Sequence, residues 1–258
     1  MNRAGLAIAL AVAAVVGVVF AVFPSLDIAV SALFYEPQTH RFVVGGGAWE
    51  AARETASWII TLLVAPAFLA VIGKLLMPRR RMLIEGRAAL LLVTTLALGP
   101  GILANQIMKQ HSGRMRPADI VELGGIHQFT PWWDLRGECS ENCSFIAGEP
   151  SGAFWTFAPT ALAPPQWRVL AYGGALGFGA LVGFLRIAAG GHFFTDVVFA
   201  GVLMFLLVWT AHGLVYRWPA TRISEDSIER PLVRVGEALR DGLAALARRI
   251  AGRPGKPS

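Results

Sequence analysis

Residues 169–215 read VLAYGGALGFGALVGFLRIAAGGHFFTDVVFAGVLMFLLVWTAHGLV. Two apolar runs, Val169–Leu185 and Phe193–Val215, lie close to the roughly 20 residues a helix needs to cross a bilayer core. Only Arg186–His192 separates them, so they read as a transmembrane helical hairpin with a short polar turn. That turn carries an Arg, a Gly pair and a His, with Asp196 four residues beyond the His. Ionisable groups are costly beside a bilayer, so their presence at span ends asks for a chemical reason.

The same pattern extends outward along the chain. Of the 258 residues, 55% are hydrophobic and 16% charged, too little charge for the surface of a soluble domain of this length. Further apolar runs fall at Ala4–Phe23, Ser57–Met77, Ala88–Met108 and Ser151–Ala163, the last long enough only if its helix begins near Phe145. The expected fold is therefore all-α, a polytopic bundle of six transmembrane helices over residues 1–216, followed by a basic tail, 217–258. The net charge of +6 does not point to nucleic acid. Its Arg residues gather beside the apolar runs, at 79–81, 87, 168, 217 and 222, as in loops facing anionic lipid.

The positive-inside rule then places both termini in the cytoplasm of a bacterial inner membrane. The run after Arg3 exceeds the roughly 7–15 residues of a signal-peptide core and reads as a retained first span. Three connections face outward: Pro24–Ala56, Lys109–Pro150 and Arg186–His192. The middle one holds the only two cysteines, Cys139 and Cys143, whose spacing suits a small disulfide in an oxidising compartment; two free thiols are the alternative. In the tail, Leu232, Leu239, Leu243 and Leu246 recur near helical spacing among arginines up to Arg253, as in an amphipathic helix on the inner leaflet or a solvated tail. Trp49, Trp132, Trp133 and Trp155 are expected in an interfacial aromatic belt.

Two outward segments carry chemistry. Lys109-Gln-His-Ser-Gly-Arg114-Met-Arg116-Pro117 ends the third run. If its helix continues, Lys109 and Arg116 share a face, and Pro117 turns the chain away. A guanidinium fork matches phosphate oxygens and an ammonium adds a point charge, so Lys109, Arg114 and Arg116 read as anion ligands, with interfacial snorkelling as the plainer account. In the second segment, Asp196 lies one helical turn beyond His192 and is placed to accept from the imidazole. The other ring nitrogen is then free to attack, and the start of the last span offers N–H groups to an anion.

Lys109-x6-Arg116-Pro117 and Arg186-x5-His192-x3-Asp196 resemble the first and third motifs of the type 2 phosphatidic acid phosphatase superfamily, membrane branch. The resemblance runs from about the second span to the sixth. It implies a phosphoric monoester hydrolase acting at the periplasmic face without cofactor or metal. His192 would form a phosphohistidine, Asp196 would orient it, and Lys109, Arg116 and Arg186 would hold the phosphate. The family's Ser before the third-motif Arg is replaced by Leu185.

The middle motif departs further. Where the family has Pro-Ser-Gly-His, this chain reads Phe145-Ile-Ala-Gly148-Glu149-Pro-Ser-Gly-Ala153-Phe154. One register puts Ala153 in place of the acid; the preferred one puts Glu149 there, after Gly148. A bound phosphate would push the pKa of Glu149 upward, as a general acid requires. His111 is a further candidate for the acid. The Phe-x-x-Gly-Glu form after a cysteine loop is similar to bacterial lipid A 4′-phosphatases, which makes lipid A the favoured substrate. Undecaprenyl pyrophosphate or phosphatidylglycerol phosphate phosphatase, a lipid phosphotransferase and a catalytically impaired lipid-phosphate binder are the alternatives. The expected partners are the lipid phosphate and membrane lipids, with no obligate protein partner. Charges at one face instead of the midplane disfavour a transporter.

Overall fold

A computed structural model describes residues 3–251, which are helical apart from loops and one two-stranded antiparallel hairpin. In chain order the elements are α1 (Arg3–Val22), α2 (Ser25–Ala32), the hairpin β1 (Tyr35–Glu36) and β2 (Arg41–Phe42), and α3 (Gly47–Leu76). Then come α4 (Gly86–His111), α5 (Gly148–Phe154), α6 (Phe157–Ala161), α7 (Pro165–Ala188), α8 (Phe194–Arg217) and α9 (Glu225–Ala251). Among the described residues five helices are long and apolar enough to cross a membrane: α1, α3 from Trp49, α4, α7 and α8. Their outer faces carry exposed Val15, Leu62, Leu98, Leu170 and Leu176, as expected where lipid is the solvent. Between helices the contacts are close and small: Gly183 of α7 meets Val197 of α8, and Gly99 of α4 meets Met204 of α8.

The fourth expected span, Ser151–Ala163, does not form one long helix. It breaks at Trp155–Thr156 into α5 and α6. Pro159 accounts for the break, because its ring would collide with the carbonyl four residues back, that of Trp155. Both pieces are buried, so no lipid-facing surface is required of them. They thread the interior from Gly148, beside Lys109, to Thr160, whose Oγ1 donates to the Ala171 carbonyl near the start of α7 at 3.4 Å. Trp155, expected at the interface, is wholly buried and donates from Nε1 to Thr95 Oγ1 at 2.9 Å.

α4 changes its winding part-way. After Leu96 it widens into π-type turns over Ala97–Met108, with Pro100 inside the wide segment and Asn105 Nδ2 donating to the Pro100 carbonyl at 2.7 Å. It then stops at His111, so the helix does not carry Lys109 and Arg116 on one face as the sequence suggested. Gly113, at φ +65° and packed against the backbone of Leu135 and Gly137, makes the turn, and Arg116 is extended.

The tail forms α9 and docks on the start of α4. Glu225 accepts from Gly86 N at 2.8 Å and from Arg87 Nε at 2.7 Å, and Lys74 of α3 pairs with Glu229 at 2.8 Å. A carboxylate at the first N–H groups of α4 suits the helix dipole. Val235, Leu239, Leu243 and Leu246 form an exposed apolar stripe along α9. Arg253, at the end of the expected amphipathic stretch, lies outside the described residues.

Candidate active site

The turn between α7 and α8 is pinned before it presents any side chain. Gly190 O accepts from Ala118 N at 3.1 Å, and Gly191 N donates to Arg186 O at 2.9 Å. His192, only 2% exposed, projects inward, and its Nδ1 donates to the Ser144 carbonyl at 2.8 Å. Nε2 is left without a hydrogen-bond partner among the described residues. Burial lowers the imidazole pKa below its ordinary value, although the nearby Asp196 carboxylate opposes this. The ring is therefore held neutral with a fixed tautomer.

Asp196 does not bond the imidazole directly, as the i,i+4 spacing had suggested. Its Oδ2 stands 3.7 Å from His192 Nδ1 and instead accepts from Ser144 Oγ at 2.5 Å and Phe193 N at 2.8 Å. Ser144 is thus the intermediary: its carbonyl holds the histidine and its hydroxyl holds the aspartate. Two N–H groups at the start of α8 are likewise taken, Phe193 N by Asp196 Oδ2 and Thr195 N by Asp27 Oδ1 at 3.1 Å. Those two are not offered to an anion.

Arg114 is also placed differently from the phosphate-binding role expected of it. It is completely buried and faces inward. Nε donates to the Thr130 carbonyl at 2.9 Å, Nη1 to Thr195 Oγ1 at 2.8 Å and to Asp196 Oδ1, and Nη2 to Asp27 Oδ2 at 2.7 Å. Its guanidinium also lies over the Phe193 ring, 4.3 Å from the centroid. A buried charge needs partners, and Arg114 has two carboxylates. Burial pushes the Asp27 carboxyl above its usual range, against the pull of Arg114. Asp27 was not singled out in the sequence. The available signal was a lone acid in the apolar run Phe23–Phe34.

Three further cations gather near His192. Lys109 lies in the last turn of α4, Arg116 follows the turn, and Arg186 lies in the last turn of α7, each near enough to influence the others electrostatically. Lys109 Nζ stands 3.4 Å from Asn142 Oδ1, and Arg116 Nη2 donates to the Asn142 carbonyl at 3.0 Å. Asn142 lies inside the ring closed by a Cys139–Cys143 disulfide. Lys109 also lies over Gly148, where a Cβ would stand 2.8 Å from Nζ. Arg186 Nε is a buried donor with no hydrogen bond; its nearest carboxylate oxygen, Glu149 Oε2, is 3.9 Å away. An orphaned buried donor among converging cations marks a place built for an anion. A cavity of about 730 Å³ opens beside it, lined by Arg116, Arg186, Gly190, Gly191 and the disulfide loop.

Glu149, the carboxylate nearest Arg186 Nε, is bonded to Arg53 of α3 through Nη2 at 2.7 Å and Nε at 3.1 Å. Arg53 was another residue the sequence reading passed over. Burial raises the Glu149 pKa, but the Arg53 hydrogen bonds and the charges of Arg186, Arg53 and His192 outweigh it and leave the carboxyl below its usual value. His111 is exposed and turns to the Ile107 carbonyl at 2.9 Å, away from this group.

Residues 88–223 match the PAP2 superfamily, a stretch that contains every motif described above. The chain belongs to the PAP2 superfamily. It is 32% identical over 206 residues to a lipid A 4′-phosphatase of Francisella tularensis subsp. novicida, covering 77% of this chain and 90% of that protein. Lipid A 4′-phosphatases of Rhizobium leguminosarum and Rhizobium etli are each 35% identical, over 45% and 52% of this chain and about half of their own lengths (50% and 49%). No solved structure matches the chain. Membership of this PAP2 phosphatase family makes the chain a phosphoric monoester hydrolase, and its five apolar helices make it a membrane protein.

Proposed function

We propose that this protein removes the 4′-phosphate of lipid A, or of a closely similar lipid phosphate, through a phosphohistidine on His192. The observation that carries the reading is the unpartnered Arg186 Nε, set with Lys109 and Arg116 beside a neutral, oriented imidazole. The similarity to lipid A 4′-phosphatases over most of the chain supports the choice of substrate.

In the first step Lys109, Arg116 and Arg186 hold the phosphate oxygens while Nε2 attacks phosphorus. The P–N bond forms, the ester P–O bond breaks, and Glu149 gives its proton to the leaving oxygen. In the second step water attacks the phosphohistidine, its proton passes to Glu149, and the P–N bond breaks to release inorganic phosphate. Electrostatic stabilisation by the cations is the largest contribution, since charge on the equatorial oxygens must be held throughout. Asp196 acts on His192 through Ser144.

Residues 1–216 form the catalytic unit and 217–258 the cytoplasmic tail, with α9 resting its apolar stripe on the inner leaflet. The Arg residues at 79–81, 87, 168 and 217 belong to the end opposite His192, which favours a periplasmic active site in the inner membrane with both termini inside.

The test is mass spectrometry of lipid A incubated with purified wild type and with His192→Ala. Wild type should remove one phosphate from the 4′ side, and the variant should lose at least about 10³-fold in rate. Undecaprenyl pyrophosphate and phosphatidylglycerol phosphate serve as rival substrates. Faster turnover of either one would overturn the lipid A assignment, and an active His192→Ala would overturn the phosphohistidine.

A further inference from the structure

α3 reaches the site with side chains that the two catalytic steps leave unused. Arg53 forks onto Glu149, with Nη2 donating to Oε1 at 2.7 Å and Nε shared between the two oxygens at 3.1 and 3.2 Å. Its Nη1 meets Glu50 Oε2 at 3.1 Å. Both members of the Arg53–Glu149 pair are over a third exposed, at 38% and 36%, so a solute can compete for either. A cavity of about 80 Å³ beside them, lined by Ala56, Ile60, Val182 and Leu185, gives the Arg53 side chain room to move.

The charged groups facing Glu149 are Glu50 and Arg53 from α3, Lys109 from α4, Arg186 from α7 and His192 from the turn. Cations dominate, so the carboxyl is held ionised. An ionised carboxylate can take a proton but has none to give. Protonating a leaving oxygen requires the opposite state, and the arrangement must change between binding and chemistry.

We propose that Arg53 is a substrate-operated latch on Glu149: a lipid phosphate arriving among Lys109, Arg186 and His192 draws the Arg53 guanidinium onto its own oxygens, and the released carboxyl takes up the proton that it then delivers. This rests on Glu149 being the acid of the phosphohistidine reaction. Two physical trends drive the exchange. A phosphate dianion offers the guanidinium fork more charge than a carboxylate does. The same dianion, now close to Glu149, favours its neutral form. The proton comes from solvent through the exposed side of the pair, and the proton that Glu149 takes from water in the second step returns to solvent as Arg53 closes on it again, so uptake and release cancel over each cycle. Arg53 is thus a positioning and specificity residue, rewarding ligands with enough charge to move it.

The test compares pH–rate profiles for full-length wild type, Arg53→Gln, Arg53→Lys and Glu149→Gln, with bisphosphorylated lipid A in detergent micelles. In wild type the alkaline limb should lie at least about one pH unit higher in kcat than in kcat/KM, since these report the bound and free enzyme respectively. Arg53→Gln should raise the kcat/KM limb and narrow its gap to the kcat limb, the remainder being the effect of the bound dianion, and Arg53→Lys should restore part of the gap. Titration of the substrate is common to all four proteins and cancels in the comparison. A limb position does not depend on how much of a variant folds. If Arg53→Gln leaves the limbs where they were while Glu149→Gln loses 100-fold or more, the latch is wrong and the acid assignment stands. If Glu149→Gln keeps full activity, the acid assignment itself is wrong and the latch goes with it.

Discussion

On the inward side of His192, Asp27, Arg114 and Asp196 share hydrogen bonds with Thr195, Ser144 and the Thr130 carbonyl, whereas on the cavity side Arg186 keeps a buried donor without a hydrogen bond and Lys109 and Arg116 approach oxygens of Asn142. Both regions are rich in charge. The inward one is satisfied and buried, so it holds one geometry. The cavity side is left to be completed by an anion, and this costs stability that a fully paired cluster would have kept. On the proposed mechanism the contrast separates two duties that the sequence motifs run together: fixing the nucleophile and receiving the phosphate.

Arg114→Met should show the largest effect, because it strands two buried carboxylates. Removing one partner of a buried ion pair costs about 3–5 kcal/mol. Thermal unfolding in detergent should register that loss together with most of the activity; a variant that melts like wild type would mean the inward network fixes nothing. Arg186→Lys keeps the charge and loses the fork. Its kcat/KM should fall by about 10–100-fold with little change in melting, and an equal loss of stability would erase the distinction between the two sides. The smallest effect concerns His192 and is one of position. Burial lowers its pKa, so the neutral nucleophile persists to lower pH and the acid limb of kcat/KM should lie below about 6.5. The same sign gives a folding contribution present above about 6.5 and lost as pH falls through the depressed value. A limb at or above that value would place the imidazole in water.

Much of this was legible in the residues. Apolar run length found the five long helices, and motif spacing gathered Lys109, Arg116, Arg186 and His192. The break within 148–161 departs from the single span expected there because hydropathy reports burial as readily as membrane crossing, while the interruption itself is set by Pro159. Arg114 was grouped with its neighbours because all three are cations on one short segment, and nothing local says that its side chain turns inward to Asp27. Asp27 and Arg53 lie far along the chain from the groups they pair with, 87 and 96 residues away. Such pairings belong to the tertiary structure and leave no periodic trace.

The five-residue loop closed by Cys139 and Cys143 has a consequence for selectivity. Its Asn142 lends neutral oxygens to Lys109 and Arg116, which act as place-holders in a covalently fixed mould. Giving up a neutral acceptor is worth it only for a ligand with denser charge that can touch both cations at once. A chloride ion gains little by the exchange, and a phosphate dianion gains a great deal. On the proposed mechanism the loop would work as a threshold, set by charge and shape together, on the anions that Lys109 and Arg116 accept.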